Sequence, residues 1–203
     1  MSRGIFLVFE GIDASGKSTQ ARRTADHLGA RFAFEPGDTM MGADLRRWVL
    51  DADTPMAPET EALLMLSDRS HHVRTVIEPL LGAGVTVVCD RFSASTLVYQ
   101  GYGRGVDLDQ LVATTSMAIG SCQPDLTILL DISLEVANER RARDAKDRFE
   151  SADLDFHRRV RDGYLHIAAE QGDRWWVLDG SKDVVEIGAL IDERVATLSR
   201  SRG

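Results

Sequence analysis

GIFLVFEGIDASGKST, residues 4–19, runs from an apolar stretch into a glycine-rich turn that ends in a lysine and two hydroxyls. The apolar part, residues 4–10, has the near-continuous hydrophobicity of a strand buried on both faces, as in a parallel sheet. The turn, Gly11-Ile12-Asp13-Ala14-Ser15-Gly16-Lys17-Ser18, satisfies G-x-x-x-x-G-K-[ST] in full, and Thr19 follows it. In this pattern the glycines let backbone N–H groups converge on phosphate oxygens. The lysine reaches the β and γ phosphates, and the serine hydroxyl ligates Mg²⁺. A glycine-rich turn that only caps a helix is the plainer alternative. The strand before it and the helical spacing after it are the context that phosphate binding requires, and they favour a nucleoside triphosphate site.

Outward from this motif, strand and helix alternate. The pattern gives helix at 18–28, ended by Gly29, a strand at 31–35 stopped by Pro36-Gly37, and helix at 43–50. Pro58 fits the first turn of a long helix reaching about residue 81, before Gly82 and Gly84. Further strands are read at 85–90, 126–131 and 175–178, with helices at about 107–119, 134–143, 153–170 and 184–198. No helix is assigned between 91 and 106. Five strands alternating with helices predict an α/β fold, a parallel sheet flanked by helices on both faces, in a single domain spanning 1–203.

The 203 residues carry a net charge of −8 and are 43% hydrophobic and 28% charged, an ordinary globular composition. A sequence pI of about 5.1 argues against extended binding to nucleic acid or an anionic membrane. Neither a signal peptide nor an apolar run long enough to span a bilayer is present, so a cytoplasmic location is expected. Cys89 and Cys122 lack metal-ligand spacing, and Cys89 reads as a reduced core thiol.

A triphosphate site alone names no reaction. The one asparagine, Asn138, is followed by Glu139, so the N-K-x-D base-reading motif of a GTPase switch is absent. Protein kinases use a different loop, which leaves a small-molecule kinase. Asp90-Arg91 closes the VTVVC strand at the carboxyl edge, where open α/β sheets bind ligands. Asp90 is placed to organise the Mg²⁺ shell and Arg91 to hold an acceptor phosphate. The hydroxyl-rich DRFSASTLVYQGYGRG, 90–105, then supplies hydrogen-bonding groups and tight backbone around Tyr99, Gln100 and Gly101. Taken by spacing alone, Met65 reads as core packing, Arg46 and Arg69 as solvated helix charges, and His71 and His72 as exposed or helix-interface residues without chemistry.

These segments together resemble the bacterial thymidylate kinases. The resemblance covers nearly the whole chain, through FEGIDASGKST, EPGDT at 35–39, ALLMLSDRSHHV at 62–73, the 90–105 segment, PDLTILLD at 124–131 and DRFE at 147–150. It implies a five-stranded parallel phosphate-loop kinase, usually homodimeric, that uses ATP and Mg²⁺ to phosphorylate dTMP. It also implies that Asp13 lies near the sugar hydroxyl and the transferring phosphate, and that Arg46 and Arg91 surround the dTMP phosphate. Arg69 then meets the thymine O4, with Glu35, Pro36, Met65, Ser95, Thr96, Tyr99 and Gln100 as further acceptor-pocket positions. Three positions depart from the usual family pattern: Met65 replaces a stacking phenylalanine, Phe34 an arginine and Asp38 a second glycine; Ala14 stands where some members carry an arginine. In members lacking that arginine, a lid after the fourth strand supplies one. ERRARDAKDRFE, within a lid of about 140–152, would therefore bring Arg143 or Arg148 onto the phosphates with Arg140 nearby. A kinase for another nucleoside monophosphate and a non-catalytic nucleotide switch are the competing readings.

Overall fold

The computed structural model describes residues 3–51, 53–141, 149 and 152–200. Its strands β1 (Phe6–Glu10), β2 (Arg31–Phe34), β3 (Val87–Asp90), β4 (Leu126–Asp131) and β5 (Trp175–Asp179) pair in parallel in the order β2-β3-β1-β4-β5. Every residue of β1 is buried, which explains its unbroken apolar sequence and leaves the Glu10 carboxylate inside the protein. With β1 central, the loops after β1 and β3 meet at the carboxyl edge of the sheet, the position where such folds hold ligands.

Helices α1 (Lys17–Leu28) and α9 (Val184–Arg200) cover one face. Ala21 and Ala25 of α1, and Ile187, Ile191 and Val195 of α9, pack with Leu7, Phe9, Ile128 and Leu130 of the sheet. These are i, i+4 positions, the stripe an amphipathic helix buries. The opposite face carries α3 (Pro58–His72), α6 (Leu108–Ile119) and α8 (Leu154–Gln171), with α2 (Met40–Leu50) packed beside α3 and α7 (Leu134–Arg141) following β4. Phe156, Val160 and Tyr164 of α8 join Val98, Tyr99 and Leu129 in one core cluster. Cys89 and Cys122 are free and buried. Among the described residues no helix is long and apolar enough to cross a membrane.

Two stretches differ from the sequence reading. The helix expected to run from Pro58 to about 81 passes through a π turn, Val73–Ile77, before α4 (Glu78–Gly82). Pro79 explains it: proline has no N–H and its ring crowds the preceding turn, and a wider turn makes room. The Glu78 N–H accordingly bonds the Val73 carbonyl, five residues back. Residues 93–103, left without a helix, form α5 (Ser93–Thr96) continuing as a π helix, Leu97–Gly103. Gly101 and Gly103 here are packing residues. A Cβ would lie 2.5 Å from Leu108 Cδ2 at the first and 2.5 Å from Phe156 Cε2 at the second.

Candidate active site

The phosphate loop joins β1 to α1. Gly11 has φ 145°, and a Cβ there would fall 2.6 Å from the Leu130 carbonyl oxygen. Ala14 and Gly16 are also left-handed, at φ 66° and 89°. Gly16 caps α1 without a side-chain hydrogen bond, so the first N–H groups of the helix face the loop interior. That is an anion site in waiting. Lys17 is buried and folds over the loop, its Nζ 3.5 Å from the Ile12 carbonyl and 3.6 Å from Asp13 Oδ1. Burial lowers its pKa, as does nearby Arg91, while Asp13, Asp90 and Glu10 oppose that shift. Ile12 and Ser15 are buried, whereas Ser18 and Thr19 are exposed on the first turn of α1.

Arg91 follows β3 in a left-handed conformation, φ 70°, with its N–H on the Phe9 carbonyl. A left-handed arginine costs of order 1–3 kcal/mol and persists only where surroundings over-determine it. They do so here. Nη1 donates to Gly11 O, Ser95 Oγ and Tyr164 Oη at 3.2–3.3 Å, while Nη2 bonds Asp13 Oδ1 and Tyr99 Oη. Tyr99 Oη in turn donates to Asp13 Oδ2 at 3.0 Å. Beneath this cluster Glu10 accepts from Phe92 N, Ser95 N, Ser95 Oγ and Tyr164 Oη at 2.7–3.2 Å. Burial raises the Glu10 pKa against the opposing charge of Arg91, and burial also pushes both phenols well up, keeping them neutral donors.

All ten sequence-assigned acceptor residues line one cavity beside this loop: Glu35, Pro36, Arg46, Met65, Arg69, Arg91, Ser95, Thr96, Tyr99 and Gln100. Asp13 shares the wall, so the phosphate loop and the cavity are contiguous. Arg69 is not a solvated helix charge. It is 3% exposed and donates from Nε to Glu35 Oε2 (2.7 Å), from Nη1 to Thr96 Oγ1 (2.5 Å) and from Nη2 to Phe92 O (2.9 Å). Arg46 Nη1 donates to Pro36 O at 2.7 Å. Gln100 Nε2 donates to the buried Glu61 carboxylate at 2.9 Å.

Sequence reasoning missed several residues here. His72, taken as exposed or merely interfacial, is completely buried between Glu35 and Asp38. Burial opposes its charge, but those two carboxylates push its pKa up to about 9. Leu50, Asp68 and Phe149 also line the cavity. Burial, reinforced by the Glu35 charge, raises Asp68 to about 6. Phe149 lies in the quoted DRFE motif and packs edge-on to Tyr99, so its aromaticity was the available signal. Glu10 was signalled by a carboxylate closing an apolar strand. Arg140 reaches Ala14 O at 3.2 Å and Gly180 O at 3.1 Å. Arg143 and Arg148 lie outside the described residues.

The thymidylate kinase family model matches residues 9–191. The chain belongs to the thymidylate kinase family. It is 41% identical to the thymidylate kinase of Desulfovibrio desulfuricans, over 98% of both chains. With that of Cupriavidus metallidurans it shares 43% identity, over 97% of this chain and 100% of the other. The crystal structure of thymidylate kinase from Ehrlichia chaffeensis matches with a TM-score of 0.80 at 28% identity, covering 96% of this chain and 99% of that one. The Ehrlichia chaffeensis thymidylate kinase thus shares the overall fold of this chain.

Proposed function

We infer that the chain transfers the γ-phosphoryl group of ATP to dTMP, giving ADP and dTDP. One observation carries the reading: Arg91 and Asp13 form a wall common to the phosphate loop and the acceptor cavity. A nucleotide switch has no use for a second, arginine-lined cavity abutting its phosphate loop. The acceptor's phosphate monoester is already an anionic nucleophile near neutral pH, so positioning and charge stabilisation suffice without a general base.

In this scheme Lys17 and the loop amides hold the ATP phosphates, Arg91 and Arg46 the dTMP phosphate, and Arg69 and Gln100 the base, with Met65 against it. Mg²⁺ fits the chain's own groups. The exposed Ser18 hydroxyl stands at the start of α1, and Asp90 Oδ1, at the carboxyl end of β3, is buried without a hydrogen-bond partner among the described residues. Two oxygen donors are enough for an ion held largely through phosphates. When bound, the ion neutralises charge on the β and γ phosphates. Arg143 or Arg148 adds the positive charge that Ala14 withholds from the loop.

The enzyme acts in the cytoplasm as a homodimer. Met40 (89% exposed) and Trp48 (58%) on α2, Leu63 (59%) on α3 and Met117 (77%) on α6 support the dimer, since the three helices lie side by side. ADP release with dTMP, dUMP, dCMP and dGMP offered separately tests the function. The reading requires dTMP to be turned over best. A better rate on another monophosphate moves the chain to another acceptor, and no release above background with any leaves the switch.

A further inference from the structure

We propose that His72 is a positioning residue for the acceptor site, bracing Glu35 so that Glu35 fixes the plane of Arg69 on the cavity wall. Arg69 and His72 are i and i+3 on α3, one turn apart on a shared face. They grip the same carboxylate, one oxygen each: Arg69 Nε bonds Glu35 Oε2 at 2.7 Å and His72 Nδ1 bonds Oε1 at 2.9 Å. The second ring nitrogen, Nε2, meets Asp38 Oδ2 at 3.0 Å. Asp38 is itself anchored by Arg31 Nη2, at 2.9 and 3.0 Å to its two oxygens. One imidazole thus ties both ends of the Glu35-Pro36-Gly37-Asp38 loop to α3.

A ring nitrogen facing a carboxylate must donate, and both do here, so His72 is an imidazolium. Its raised pKa agrees. The other charged groups in this cluster are Arg31, Arg69 and Asp68, whose Oδ2 accepts from Gly37 N at 3.2 Å. The His72, Glu35 and Asp38 side chains are at most 7% exposed, so water cannot replace a lost donor. Arg69 keeps three contacts to its planar group, and the Glu35 contact is the only one of the three with a carboxylate. Without His72, Glu35 loses the partner that holds its far oxygen, and Arg69 loses the fixed edge that orients it toward an acceptor base.

The proposal rests on the dTMP reading, which the unmutated enzyme's own turnover of dTMP tests separately. Loss of a hydrogen bond to a charged group predicts that His72→Gln raises the dTMP KM by at least ~10-fold and leaves the ATP KM within about twofold. Asp38→Asn, which loosens only the outer anchor, should shift the dTMP KM the same way by a smaller factor. The decisive arm is a cycle with Arg69→Ala. Because His72 acts through Arg69, His72→Gln should change the dTMP KM of Arg69→Ala by less than about twofold. A purely structural role would lower the melting temperature and leave these KM relations untouched. A folded His72→Gln enzyme with an unchanged dTMP KM, or effects that multiply in the double variant, would overturn the proposal. Should His72→Gln not fold, an Asp38→Asn enzyme with an unchanged dTMP KM overturns it instead.

Discussion

Raising the pH through 9 removes one of the two ring protons that His72 donates to Glu35 and Asp38, and the protein should lose stability as a result. The sign follows from linkage. The folded-state pKa of about 9 lies above the ordinary 6.5, so the stabilisation is complete below about pH 6.5 and lost as pH rises through about 9. At about 1.4 kcal/mol per pH unit, that gap is worth about 3 kcal/mol. For a domain whose total stability is of order 5–15 kcal/mol, this is a large fraction. Asp68, in the same cluster, acts in a lower window. Its folded pKa of about 6 exceeds the ordinary 3.8, so stability falls as pH rises across that interval. Urea unfolding of the wild-type protein and His72→Gln, in steps from about pH 6 to about 9.5, isolates the histidine. The wild-type advantage should shrink by about 3 kcal/mol between the ends of that range. An advantage that stays constant across it would refute the reasoning, because the folded-state pKa of His72 would then equal its ordinary value.

Three further outcomes follow from the site. Met65→Phe should hold or tighten dTMP affinity, since a thioether contact is worth about 0.3–1.5 kcal/mol and aromatic stacking a similar amount with added rigidity. A large loss by calorimetry would mean the cavity is shaped for another base. Among single alanine substitutions at Arg140, Arg143 and Arg148, at least one should slow turnover at saturating ATP and dTMP by ~10²-fold or more, a modest threshold beside the 10³–10⁵ of arginine fingers elsewhere. Changes of only a few-fold at all three would mean that the segment does not supply the missing charge. Gly103→Ala places a Cβ 2.5 Å from the Phe156 ring. It should cost about 1–3 kcal/mol in urea unfolding, and a neutral result would mean the π segment yields freely.

How much of this was legible depended on the reach of each interaction. The phosphate loop and the five strands were readable because their signals are local: a fixed glycine spacing, and apolar runs bounded by Pro36-Gly37, Gly82 and Asp131. Arg91 was legible from its strand-end position and the 90–105 segment from its hydroxyls, the other acceptor residues came from the resemblance, and only the fold brings Glu35, Met65, Arg91 and Gln100 to one cavity. Helix 93–103 was hidden because Gly101 and Gly103 read as turn residues, whereas their lack of a side chain serves contacts with α6 and α8. His72 was hidden for a related reason. Its partners lie 34 and 37 residues away in the chain, and nothing local distinguishes a histidine that will be buried between two carboxylates from one on a solvated helix.

Arg91 is where the account is most exposed, because it joins the two halves of the site. It touches Asp13 and Gly11 of the phosphate loop and Ser95 and Tyr99 of the acceptor wall. The direct measurement is Arg91→Ala, assayed for dTMP phosphorylation and, on the same preparation, for ATP binding by calorimetry. The account predicts that phosphorylation is abolished while ATP affinity stays within a few-fold, since Lys17 and the loop amides remain. Near-normal turnover of dTMP in that variant would contradict it.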